Sequence, residues 1–237
     1  MRSPADLKDP HLESIPPAVS VATGAQKGGI LGSFRAAIAG VLRTIAAQRN
    51  MKIHVLSAMM VLIVGMALPL APSTRVALLF AIAIVFFAEI LNTALEAFVD
   101  LHIRDYHRLA MMAKDAAAAG VLVLAATTVV VLAEVLWTEW DVVVSNVTAV
   151  QRSVLFGVPL VASEGLGLFI VRRGVLSILR LVASLALLVP LAMRSVDPIY
   201  AFLALTLVLV SAYARWSFPR FSGRGAPRTP GALDGAP

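Results

Sequence analysis

The chain has 237 residues, 59% of them hydrophobic and 14% charged, with a net charge of +6. Soluble domains carry about 25% charged residues, so this composition excludes an ordinary soluble domain and points to an integral membrane protein. The absence of cysteine excludes disulfides, thiolate metal sites and a cysteine nucleophile, and basic residues scattered through loops without interleaved aromatics give no nucleic-acid surface.

Residues 1–29 contain no apolar stretch of the kind a signal peptide needs, and their Pro, Ser and Asp content predicts a disordered tail. From Ile30 to Arg49, apolar residues recur at Leu31, Phe34, Ile38, Val41, Leu42 and Ile45. Spacings of three and four place them on one helical face, and Arg35, Arg43 and Arg49 decorate the rest. This predicts an amphipathic helix on the membrane surface.

Six apolar segments follow: Ile53–Leu70, Val76–Leu101, Ala116–Leu136, Val154–Val171, Val175–Met193 and Pro198–Ala214. Each is near the roughly 20 residues that a spanning helix needs. The polar connection 137–152 divides them three and three, giving a first unit over 30–136, a second over 153–216 and a disordered tail over 217–237. The predicted fold is an all-α integral membrane protein, with a surface helix and about six transmembrane helices.

Positive charge orients the chain. Clusters at Lys27–Lys52, Arg104–Lys114, Arg172–Arg173 and Arg215–Arg228 fall on one side if all six segments span, against Arg75, Arg152 and Arg194 on the other. Both termini are therefore expected in the cytoplasm.

The second span carries Glu89, Asn92, Glu96 and Asp100, separated by three, four and four residues. At about 100° per residue they share an arc of roughly 80°, a polar stripe in the cytoplasmic half of the span. Lys114 and Asp115 open the third span, and Gln48, Arg49, Asn50 and Lys52 open the first, at the same depth. Carboxylates with an amide suit magnesium shared with nucleotide phosphates. A lysine suits phosphate oxygens, and an embedded acid suits a general base toward a lipid hydroxyl. These are the parts of a phosphoryl-transfer site. Hydrogen-bonded helix glue and an ion pathway are the alternatives, although glue rarely needs three acids on one helix.

At these residues the sequence resembles the prokaryotic diacylglycerol kinase and undecaprenol kinase family, marked by E-[IL]-x-N-[ST]-A-[IL]-E-x-x-V-D, a Y-H pair and A-K-D-x-x-[AS]-[AG]. The matching stretches are Glu89–Asp100, Tyr106-His107 and Ala113–Ala119, within a resemblance over about Gly32–Leu136. The resemblance implies an ATP- and Mg2+-dependent kinase of a membrane lipid alcohol, three-span and homotrimeric, in a bacterial cytoplasmic membrane. By the same resemblance Glu89 is the catalytic base and Glu96 a metal ligand. Asn92 and Asp100 line the site, and Asp105, Tyr106, His107, Lys114 and Asp115 contact the nucleotide. Gln48 stands where many members carry a second metal-binding glutamate; it offers a carbonyl oxygen without the charge.

No motif of the kinase recurs after Trp137, and no histidine follows His107, so the phosphatase fused to some relatives is not expected. Glu164 and Arg180 are the charges well inside this half. They lie at similar depths of an antiparallel helical hairpin, so an ion pair is expected, with loss of Arg180 alone costing more than loss of both partners. The leading function is a lipid kinase, with diacylglycerol and undecaprenol both open. A non-catalytic membrane scaffold or channel-like assembly that keeps a relic site is the alternative.

Overall fold

A computed structural model describes residues 29–103, 106–170 and 174–218. Residues 1–28 and 219–237 of the two expected tails, and Asp105, lie outside these residues, while Gly29 and Ser217 are helical. The chain divides into two units at Ile38 and Ala39.

Among the described residues the regular elements are eight helices: α1 (Gly29–Ala47), α2 (Arg49–Gly65), α3 (Pro72–His102), α4 (Arg108–Thr138), α5 (Trp140–Ser145), α6 (Val147–Phe169), α7 (Val175–Ala192) and α8 (Pro198–Ser217). The unit boundary falls within α1. Local chemistry sets the ends. Pro72 sits at the start of α3, where its missing N–H costs nothing. Asp197 caps α8, its carboxylate accepting from the Ile199 N–H at 3.0 Å, with Pro198 in the first turn.

Six helices are long and apolar enough to cross a membrane: α1, α3, α4, α6, α7 and α8. The sequence expectation lays α1 on the membrane surface and makes α2 the first span; length and composition suit α1 to either place. With 17 residues, α2 reaches about 26 Å, and the buried residues Met66–Leu68 and Leu70 prolong it. The expected connection 137–152 is also mostly helical, since α5 and the first turn of α6 occupy it; breaks fall at Glu139 and Asn146.

Cross-links at both ends show that α2, α3, α4, α6, α7 and α8 run alternately up and down. At one end Gln48 meets Glu96, Lys114 meets Asp100, Arg215 meets Glu164, and Lys52 lies over Phe169. At the other, Thr74 donates to Glu139 at 2.8 Å, Arg75 pairs with Asp197, and the Val196 N–H donates to the Met66 carbonyl at 2.9 Å.

The core is centred on α2. Met51, Val55, Met59 and Leu62 recur on one face and are almost fully buried. They join Leu160 and Leu168 of α6, Leu188 and Leu191 of α7, and Tyr200, Ala204 and Val208 of α8. Small residues permit the close approach that membrane helices need without a hydrophobic driving force. Gly65 faces the Tyr200 ring and Gly157 faces Ile63. In contrast α4 buries only Ala110 and Val121. Thus α6 and α8 pack on α2, α3 joins the same core through Leu78, and α4 touches it mainly through partly buried Leu132 and Val135.

Candidate active site

The stripe on α3 faces the N-terminal end of α2. Asn92 Nδ2 donates to Glu96 Oε1 at 2.9 Å, one helical turn away, and Gln48 Nε2 donates to Glu96 Oε2 at 3.5 Å. Gln48 is the N-cap residue of α2, in extended conformation, and its side chain makes no cap bond within its own helix. The Met51 backbone, in the first turn of α2, faces the Glu89 carboxyl. Both carboxylates therefore lie at the positive end of a helix dipole, which favours negative charge. Glu89 is 1% exposed and its Oε2 has no hydrogen-bond partner; the Oδ1 of buried Asn92 has none either.

Two turns along α3, Asp100 accepts from Lys114 Nζ at 2.8 Å. This pair bridges α3 to α4 at the mouth of the site, where Asp100 is exposed. Lys114 is thus held by a carboxylate instead of pointing freely toward a phosphate. Tyr106, His107 and Asp115 are exposed and, among the described residues, make no hydrogen bond or ion pair with the stripe. Lys52 lies at the same end of α2. It is 5% exposed, and its ammonium lies 5.8 Å from the Phe169 ring of α6.

Among the described residues no group of three His, Cys, Asp or Glu side chains is arranged to hold a metal. A hard cation nevertheless fits a partial oxygen set. Glu96 supplies a carboxylate steadied by two amides, and Asn92 Oδ1 is a buried carbonyl oxygen without a partner. Magnesium commonly takes one or two protein oxygens and completes its shell with water and phosphate.

The second half contains a network that sequence reasoning captured in part. Arg180 Nη1 lies 3.2 Å from Glu164 Oε1, as the hairpin geometry predicts. Arg215 of α8 also pairs with Glu164, at 3.1 Å to Oε2, and Ser184 Oγ donates to Oε1 at 2.8 Å. Arg215 stands 51 residues from Glu164 and reads in the sequence as one more cytoplasmic arginine, so no local signal marked it.

The family profile described as prokaryotic diacylglycerol kinase matches residues 35–136. A diacylglycerol kinase of Synechocystis sp. is 42% identical over 103 residues, 43% of this chain and 59% of that protein. An undecaprenol kinase of Bacillus subtilis is 40% identical over 93 residues, 39% of this chain and 76% of that protein. A diacylglycerol kinase of Escherichia coli is 39% identical over 67 residues, 28% of this chain and 55% of that protein. No solved structure matches the chain.

Proposed function

This chain belongs to the prokaryotic diacylglycerol kinase family, and on that premise we propose that it phosphorylates the hydroxyl of a membrane lipid alcohol with ATP. Diacylglycerol and undecaprenol are the two candidate acceptors, matching what the relatives are named for. The observation that carries the reading is the convergence of Glu89, Asn92 and Glu96 with the N-terminus of α2, beside the Lys114–Asp100 pair.

In this reading Glu89 is the general base. A carboxylate with a free oxygen in an apolar span is suited to take one proton from a hydroxyl brought alongside by the lipid. As the proton leaves, the lipid oxygen forms a bond to the γ-phosphorus and the bond to the bridging β-phosphate oxygen breaks, releasing ADP. Bound magnesium would neutralise charge on the phosphates. Glu96 and Asn92 would hold it, and Gln48 keeps Glu96 oriented. Asp100 positions Lys114 at the mouth, near where the γ-phosphate enters. Asp105, Tyr106, His107 and Asp115 serve the nucleotide, which approaches from the cytoplasm. The assembly is a homo-oligomer, with both termini of the chain cytoplasmic.

The test is transfer of γ-phosphate to a panel of lipid alcohols by the purified full chain, with and without magnesium. A magnesium-dependent lipid phosphate is expected. No product from any lipid would favour the non-catalytic reading, and the C-terminal helices are what that reading draws on.

A further inference from the structure

The C-terminal helices carry a charge cluster that takes no part in the chemistry above. Glu164 on α6 is fully buried, and the side chains of Arg180 on α7 and Arg215 on α8 are 6% and 12% exposed. Two guanidinium groups share one carboxylate, so the cluster holds an excess positive charge. Arg180 Nη1 is shared between Glu164 and the Ser163 carbonyl, at 3.0 Å to the latter. Among the described residues, the Nε and Nη2 atoms of both arginines are buried without any acceptor. Charged donors left without acceptors inside a protein are among the costliest of buried groups. An ion pair that merely tied helices together would have one arginine.

Depth narrows what could supply the missing acceptors. Glu164 lies five residues before the end of α6, Arg180 five after the start of α7, and Arg215 two before the end of α8. At about 1.5 Å per residue the cluster is within roughly 8 Å of the helix ends, the depth of lipid headgroups. These are the ends nearest Gln48 and Glu96, where positive charge places the cytoplasm. Gly167 faces the Arg180 guanidinium, and any Cβ there would overlap it. Arg43, exposed and 5.5 Å from the Phe218 ring, brings a further cation to the same end.

We propose that Arg180 and Arg215 bind the phosphate group of an anionic lipid in the cytoplasmic leaflet. A guanidinium fork matches phosphate oxygens two at a time, and one phosphate satisfies donors on both arginines while cancelling the excess charge. The nitrogens concerned are covered here, so binding requires Arg215 to leave Glu164. Its place in the last turn of α8 makes that movement a side-chain rotation. Glu164 and the phosphate thus compete for Arg215. None of these residues contacts Glu89 or Glu96, so the proposal stands or falls apart from the kinase reading.

The experiment uses the full chain in phosphatidylcholine nanodiscs, doped with phosphatidic acid or phosphatidylglycerol, with retained lipid counted by native mass spectrometry. Phosphatidic acid is expected to be retained over phosphatidylcholine. Arg215→Gln should lower retention about tenfold, the loss of one charge-assisted bond or more. Arg215→Lys, which keeps the charge without the fork, should fall between. Glu164→Gln should retain more lipid than the wild type, and its unfolding temperature should rise further on adding phosphatidic acid. A merely structural cluster predicts a destabilised Glu164→Gln variant that lipid does not rescue. That outcome, or equal retention by wild type and folded Arg215→Gln, overturns the proposal. Release of the lipid by millimolar inorganic phosphate would show that the site takes free phosphate, and would overturn the assignment to a lipid.

Discussion

Glu89 faces the first turn of α2, but burial offsets what its charge gains there. One of its oxygens is buried without a donor, in a span where a neutral residue would insert more readily. Such a group suits the role of base proposed for it. Glu89→Gln keeps size and polarity but cannot take a proton, so turnover should fall about 10²- to 10⁴-fold, with little change in the KM for ATP. Undiminished turnover would remove Glu89 from the role of base. Gln48 makes a sharper case. Its amide donates to Glu96 at 3.5 Å, so Gln48→Glu would set two carboxylates face to face. Magnesium should then activate at lower concentration, because two acids gain more from a divalent cation than one. An unchanged half-point in a magnesium titration would place the metal elsewhere. The stripe was legible because one helix carries all of it at regular spacing. The Glu164 network was legible only as a pair, and its third member alters the energetics. Replacing both Glu164 and Arg180 with leucine leaves Arg215 buried against nothing, so this double variant should not recover the stability lost in Arg180→Leu. Recovery should require leucine at Glu164, Arg180 and Arg215 together; breaking such a network costs about 3–5 kcal/mol, readable as the unfolding midpoint in detergent.

At the scale of elements, hydropathy located α7 and α8 to within a few residues, whereas α6 begins seven residues before its predicted start, inside the expected connection. An apolar helix with a few arginines, such as α1, can lie on a bilayer or enter it, and composition alone does not separate the two. Glu139 and Asn146 look like loop residues, yet each interrupts helix for only one residue. Nor did hydropathy show which helix lies inside the others. Burial of α2 follows from Gly65 and Gly157, whose missing side chains admit Tyr200 and Ile63. At Gly65 a methyl group would stand 2.9 Å from a Tyr200 ring carbon. Gly65→Ala should therefore destabilise the chain by about 1–3 kcal/mol through overpacking. Gly40→Ala, where the new methyl meets nothing within 4 Å, should be neutral or stabilising by up to about 1 kcal/mol. Thermal unfolding of both variants checks the contrast, and equal effects would argue against a tight α2–α8 seam.

For the molecule as a whole, the burial is lopsided. Helices α3, α6, α7 and α8 all contribute buried side chains to the core around α2, whereas α4 keeps nearly all of its own outside it. The groups expected to meet the nucleotide follow the same division. Lys114 reaches the stripe of its own chain through Asp100, but exposed Tyr106, His107 and Asp115 do not. If these three contact nucleotide, geometry favours the nucleotide of an adjacent copy, whose stripe would face the uncovered α3–α4 side. This gives the proposed homo-oligomer a functional test. Glu89→Gln and Asp115→Asn chains would each be inactive or nearly so when alone. Co-assembled in one membrane, they should regain part of the wild-type rate, because a mixed interface pairs an intact Glu89 with an intact Asp115. Sites contained within single chains could not recover, since every chain carries one defect. Activity that stays at the level of the separate variants would therefore confine the site to one copy. The exposed residues of α4 would then have to act through movement within the chain.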